Sequence, residues 1–175
     1  TMIDYIINND LNNAAVYNEI QQHMNVDSFI DHIIMTIYCA NTSWGHNREW
    51  WRPREENGKW QWLIVDLDRG FNINNSNTNL VDNLKDDYEL FQYLLNSPFF
   101  VDRFVQRSAA HLSNTFFAER MNSIVDSLGS MINLEMPRHI DRWGNEGGIP
   151  SMNIWESALE EIKQFAENRS AIVQN

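Results

Sequence analysis

Cysteine is nearly absent from this 175-residue chain. Cys39 stands alone, so no internal disulfide can form, and its apolar neighbours predict a buried free thiol. So few cysteines fit either redox compartment. Lysine is almost as scarce, at Lys59, Lys85 and Lys163, and the 13 basic residues face 24 acidic ones for a net charge of −11. With no basic stripe to displace phosphate counterions, nucleic-acid and anionic-membrane partners are disfavoured. No apolar run reaches the roughly 18 residues of a membrane-spanning helix. Thr1 to Asp10 lack the basic stretch and apolar block of a signal peptide and already read as helix, which predicts a segment of a longer protein. Internal repeats and heptad series are also lacking.

What remains is one domain's worth of chain, and its 43% hydrophobic and 12% aromatic content suffices for a sizeable core. Phe29, Ile30, Ile33, Ile34, Ile37 and Tyr38 recur at helical spacing, predicting an amphipathic helix over 27–41 with Asp27 as N-cap. A shorter helix over 14–23 precedes it. The aromatic and β-branched stretch 59–67 reads as the best strand, with Trp51-Arg52 as hairpin partner across the Asn57-Gly58 turn. The Asn-rich stretch 71–83 reads as an exposed loop. Helices follow over 86–96 and 99–113, the second opened by a Ser97 cap and Pro98, with Phe100, Val101, Phe104, Val105 and Leu112 as its buried face. Another runs from Met121 until Pro137 ends or kinks it near Glu135. Gly144 to Gly148 form a loop, and an Asn153/Glu156 capping box opens the last helix. About six helices and one short hairpin make a mostly helical α+β fold.

The sharpest chemical feature is Asp66-Leu67-Asp68-Arg69-Gly70-Phe71. On a strand, residues two apart share a face, so Asp66 and Asp68 would present paired carboxylates. Adjacent acids repel unless a cation lies between them, and Mg²⁺ takes one or two carboxylates together with phosphates. A capping role for Asp68 and an ion pair from Asp66 to Arg69 or Arg52 explain the same residues without a metal. Asn41 to Asn47 form the second feature. Asn41 and Asn47 are neutral oxygen donors, and His46 suits a general base, although taken by themselves these residues are better explained as a polar helix end. His23, His32 and His111 lack zinc-ligand spacing, and no serine sits in a G-x-S-x-G elbow.

At these motifs the sequence resembles the CotH family of spore-coat protein H kinases, atypical protein kinases of bacteria and some eukaryotes. Val26 to Asp31 looks like the family's D-x-D-N-F-I-D helix start, and Asn41 to Arg52 like its N-x-D-W-x-x-N-N…W-R loop. Gly58 to Phe71 looks like G-K-W-x-W-x-x-x-D-x-D-x-G-F-G, Leu95 to Phe99 like L-L-x-N-P-x-F, and Glu135 to Trp143 like E-M-P-R-H-I-x-R-W. Five motifs occur in order over most of the chain.

The resemblance implies a protein-kinase-like C-lobe with a short β-hairpin, and Mg²⁺- or Mn²⁺-dependent transfer of the ATP γ-phosphoryl to a protein Ser or Thr, with metal and ATP expected only in the full module. It makes Asp66, Asp68 and Asn47 the metal candidates, with Asp66 and Asn47 also on the nucleotide side. A spore-coat or cell-surface protein would be the substrate, and a spore coat, secreted or bacterial-surface location would follow. One departure stands out: Ser43 occupies the place of the catalytic Asp, which leaves His46 as the only nearby substitute base and predicts impaired transfer. With no G-x-G-x-x-G and no strand lysine, the nucleotide-covering N-terminal lobe is expected to be absent, making 1–175 a single C-terminal helical domain of the module. A catalytically inactive structural or carbohydrate-associated surface module is the alternative, its tryptophans offering stacking faces for sugars. A D-x-D glycosyltransferase is a third, weakened by the lack of alternating strands and helices.

Overall fold

A computed structural model describes residues 1–173. The chain is 62% helical and carries one two-stranded antiparallel sheet, a mostly helical α+β protein. Nine α-helices are present among the described residues: α1 (Met2–Ile7), α2 (Ala14–His23), α3 (Val26–Tyr38), α4 (Val81–Asp87), α5 (Glu89–Leu94), α6 (Pro98–Asn114), α7 (Ala118–Asn133), α8 (Met136–Trp143) and α9 (Met152–Val173). The strands are β1 (Glu49–Trp51) and β2 (Gln61–Leu63). Packing divides the chain into two compact units. The first comprises Thr1–Gly70 and Thr78–His111, and the second comprises Phe71–Asn77 and the chain from Leu112 onward.

In the first unit α3 is the central element. Phe29, Ile30 and Ile33 are wholly buried, as are Tyr38 and Cys39 at and just beyond its end. Phe29 meets Trp62 and Tyr88 edge-on at centroid distances of 4.8 and 5.5 Å, contacts that add to the hydrophobic gain of burying large rings. Its N-cap is Asn25, whose Oδ1 accepts from the Ser28 amide at 3.1 Å. The expected cap, Asp27, lies two residues further on, within the first turn, and is engaged elsewhere. Its carboxylate takes two hydrogen bonds from Arg103 on α6, at 2.8 and 2.7 Å. One turn on, Asp31 takes a second fork from Arg107, with Nη2 at 2.6 Å, and meets His111 Nε2 at 2.9 Å. Residues four apart share a helix face, so this clamp joins two helical stripes 76 residues apart in sequence.

The hairpin pairs Trp50 with Trp62 and Trp51 with Gln61, so Arg52 lies outside the ladder, its guanidinium 5.8 Å from the Trp60 ring centre. The strand predicted over 59–67 shrinks to three residues, because β2 finds a single partner strand. On its other side side chains of α3 take over: the Ser28 hydroxyl donates to the Trp62 carbonyl at 3.1 Å and accepts from its amide at 2.8 Å. His32 Nδ1 lies 3.0 Å from the Leu63 carbonyl, which fixes that nitrogen as the protonated donor. Burial drives the His32 pKa down, the carbonyl partly opposes it, and the Arg48 charge adds to the lowering. A β-carbon on Gly58 would lie 2.4 Å from the Pro53 carbonyl oxygen, so the hairpin loop closes only around glycine.

Other boundaries shift for local reasons. The Asn-rich stretch expected to be exposed contains a 3-10 turn at Ile73–Asn75 and buries Ser76 and Leu80, and helix resumes at Val81. Its asparagines act as expected, Asn72 and Asn79 each accepting from the amide two residues on. The helix expected over 86–96 breaks at Tyr88, which has φ −117° and ψ 89°. Ser97 does not cap α6 with its side chain: the hydroxyl is buried without a hydrogen bond among the described residues. Phe100 and Leu112 are buried in α6, whereas Val101 and Val105 face outward.

In the second unit α7 and α9 pack side by side. Gly129 on α7 admits Leu159, whose Cδ1 would lie 2.9 Å from any β-carbon there. Lys163 pairs with Asp126 between the same helices, and buried Arg169 donates to the Ser76 carbonyl at 2.7 Å. Pro137 opens α8 at its first turn instead of kinking α7. Ser151 is the residue ahead of α9, its hydroxyl accepting from the Ile154 amide at 3.3 Å, and Asn153 is already helical. Ile124, Leu128, Met131, Ile132 and Leu134 remain exposed along and just beyond α7.

The arginine clamp should carry measurable stability. Arg107→Ala is expected to lose about 1 to 3 kcal/mol in urea unfolding, and Arg107→Lys to recover only part, since an ammonium has no planar fork. For Asp27, the Arg103 hydrogen bonds hold the carboxyl below its ordinary range. For Asp31, burial pushes the carboxyl up, but hydrogen bonds from Arg107 and His111 outweigh it and the net shift is downward. The stabilisation is therefore complete above about pH 4 and lost as pH falls through the lowered values. Acid unfolding of Arg107→Ala should show a shallower dependence on pH than the parent chain.

Candidate functional site

The end of α3 and the end of β2 meet at Asp66. Helix α3 stops at Cys39, and Ala40 turns the chain with φ 51°. Asn41 follows, almost completely buried, and its amide links both segments. Oδ1 accepts from the Ser43 amide at 3.0 Å and Nδ2 donates to the Asp66 carbonyl at 3.3 Å. Asn47 Nδ2 approaches the same carbonyl at 3.5 Å. Two amides thus converge on one main-chain oxygen, and Asp66 itself takes the left-handed conformation, φ 51°. Asp tolerates that region better than most residues because its short polar side chain can bond locally.

This geometry corrects the strand reading. Asp66 and Asp68 lie beyond β2, in irregular chain and a turn, so strand alternation does not align their carboxylates. Both side chains are exposed, and neither makes a hydrogen bond or ion pair among the described residues. The ion pair from Asp66 to Arg69 or Arg52 is thus not formed. Gly70 closes the segment against the end of α3: a β-carbon there would lie 3.1 Å from Cys39 Cβ and from the Cys39 carbonyl oxygen.

On the loop between α3 and β1, Ser43 Oγ lies 3.1 Å from His46 Nε2. Arg48 Nε donates to the Gly45 carbonyl at 2.9 Å, while its guanidinium covers Tyr88 and Trp44, 4.9 and 5.5 Å from the ring centres. Thr42, Ser43, His46, Arg48, Arg69 and Asp87 line an open polar cleft of about 820 Å³. Sequence reasoning singled out Ser43 and His46 but missed Arg69 and Asp87. Their only sequence signal is charge, which does not reveal a shared cleft.

The donors present are hard oxygens. Asp66 and Asp68 supply two unpaired carboxylates, and Asn47 supplies an amide oxygen with no hydrogen-bond partner among the described residues. Among those residues no three His, Cys, Asp or Glu side chains converge. Such a set fits Mg²⁺, which keeps several waters and shares phosphate oxygens, better than Zn²⁺ or a closed calcium cage.

Asn41 is the structural hinge of this arrangement. Asn41→Ala leaves the part-buried Ser43 amide without its side-chain partner and the Asp66 carbonyl with Asn47 alone, and should cost about 1 to 3 kcal/mol in urea unfolding. Asn47→Ala, at a half-exposed position with a longer contact, should cost under about 1 kcal/mol. Equal losses would show that the two amides do not divide the work as their burial implies.

Comparison with protein families matches residues 1–173 to the one described as CotH kinase protein. No curated protein and no solved structure matches the chain. The match spans both compact units, including the loop at Ser43, the hairpin and the Asp66–Asp68 segment. The chain therefore belongs to the CotH kinase protein family.

Proposed function

We propose that this domain binds a Mg²⁺–nucleotide and transfers its phosphoryl group poorly. The observation that carries this reading is the pair of exposed, unpartnered carboxylates at Asp66 and Asp68, beside an Asp66 main chain tied down by Asn41 and Asn47. Asp66, Asp68 and the Asn47 amide oxygen would hold the metal. A bound Mg²⁺ would neutralise charge on the phosphates. Arg69 lines the adjoining cleft and favours an anionic ligand there.

Ser43 limits the chemistry. A hydroxyl neither accepts a proton efficiently near neutral pH nor orients a nucleophile by charge. His46, in contact with Ser43, is the remaining base on this loop. The substrate of the transfer reading is a protein Ser or Thr. A structural surface module is the second reading, favoured by the exposed indoles of Trp50 and Trp51.

Calorimetric titration with Mg²⁺ and Mn²⁺, with and without ATP, tests the proposal. Binding should occur in the parent chain and disappear in Asp66→Asn and Asp68→Asn. Asn also tolerates the left-handed region, so Asp66→Asn removes charge while sparing the backbone. A folded chain that takes up neither metal alone nor metal with ATP would overturn the reading. Ser43→Asp should raise phosphoryl release from ATP by about tenfold or more, within the range of general-base contributions.

A further inference from the structure

A second cavity, of about 520 Å³, opens on the first unit and shares Arg48 and Asp87 with the Ser43 cleft. One wall is the hairpin. Trp60 and Trp62 are two residues apart and therefore share a face, and Trp50 stands directly opposite Trp62 in the ladder. Three indoles thus line one side of a two-stranded ribbon. They are held at fixed depths: Trp62 is buried, with Nε1 donating to the Tyr88 hydroxyl at 2.9 Å, while Trp50 is 54% exposed. The Trp60 backbone is pinned at both ends, its amide donating to the His23 carbonyl and its carbonyl accepting from Asn25.

The opposite wall is the break between α4 and α5. Because Tyr88 leaves the helical conformation, Asp87 and Glu89 flank it at the cavity, and both are exposed. Neither carboxylate makes an ion pair or hydrogen bond among the described residues. Two cationic groups line the cavity, and both are engaged: Arg48 with the Gly45 carbonyl and the faces of Tyr88 and Trp44, and the Thr1 ammonium with Asp4 at 2.6 Å. Arg48 also shows that the Tyr88 ring of this wall accepts a delocalised cation.

Aromatic faces carry negative quadrupole charge and attract cations, most strongly where water is partly excluded. Two unpaired carboxylates on the facing wall add to that attraction, and the chain's net charge of −11 reinforces it at longer range. An anion is repelled by the same groups, and a neutral sugar gains stacking but nothing from the charge. The cavity also falls in the size range of small-molecule sites.

We propose that this pocket binds a small organic cation, an ammonium or guanidinium on a compact apolar body. The aromatic wall would cover its apolar surface, and Asp87 and Glu89 would pair with its charge. This inference does not depend on nucleotide binding at Asp66 and Asp68.

Ligand-observed NMR and tryptophan fluorescence on the full chain test it, with choline and agmatine as probes and methyl glucoside as the neutral control. Saturable binding of at least one cation is expected, weakened about fivefold or more by Trp50→Ala and by the Asp87→Asn/Glu89→Gln pair. Affinity should fall as salt is raised, because the carboxylates are exposed. Circular dichroism melting of each variant separates lost binding from lost fold, and Trp50, on an exposed rim, can be removed without disturbing the core. No saturable response to either cation would overturn the proposal, as would binding indifferent to salt and to these variants. Tighter binding of methyl glucoside than of both cations would overturn it in favour of a carbohydrate site.

Discussion

Two side chains of one helix replace a missing β-strand, and the site depends on it. A two-stranded ribbon is marginal in water, and its outer edge offers unpaired amides and carbonyls. Ser28 and His32 lie one turn apart on α3 and satisfy the inner edge of β2 at Trp62 and Leu63. The bonds are specific to register, since slipping the strand by one residue would present the wrong faces and turn Trp62 out of the core. With β2 locked to α3, the chain leaving the strand has little choice of path, and Asp66 arrives where Asn41 and Asn47 can grip its carbonyl. Position of the acids is thus inherited from a helix more than 30 residues earlier.

The same helix is held on another stripe by the Asp27 and Asp31 clamps to α6. One face of α3 therefore sorts polar groups toward the hairpin, a second sorts charges toward α6, and the apolar remainder fills the core. A buried histidine and two forked ion pairs are expensive to desolvate unless every partner is in place, which makes the arrangement selective for one packing. Here the partners are in place, and the geometry of the Ser43 loop follows from the end of the helix they orient.

Much of this was legible in the sequence. The helical period of Phe29 to Tyr38, the Pro98 helix start, the Gly144 to Gly148 loop and the pairing of Trp51 across the hairpin follow from local spacing and turn chemistry. The misses came from distant partners. Asp27 reads as a cap until Arg103, 76 residues on, takes its carboxylate, and Asn25 caps instead. The stretch from Lys59 to Leu67 reads as a long strand because it is rich in aromatic, aliphatic and β-branched residues, but only three residues find a partner strand. Asp66 and Asp68 were recognisable as chemistry by type and spacing, whereas the left-handed backbone at Asp66 depends on two amides from another segment. Arg69 and Asp87 join one cleft with no sequence pattern to announce it.

The outward row on α7 has a consequence for how the protein behaves in solution. Ile124, Leu128, Met131 and Ile132 recur at helical spacing, with Leu134 just beyond, and leave an oily strip on an otherwise acidic molecule. At neutral pH a charge of −11 keeps copies apart and masks the strip. Near the isoelectric point of about 4.7 that repulsion vanishes, and the strip is no longer shielded from other apolar surfaces. The choice of buffer for any crystal or binding trial therefore has to reckon with this helix as well as with the site.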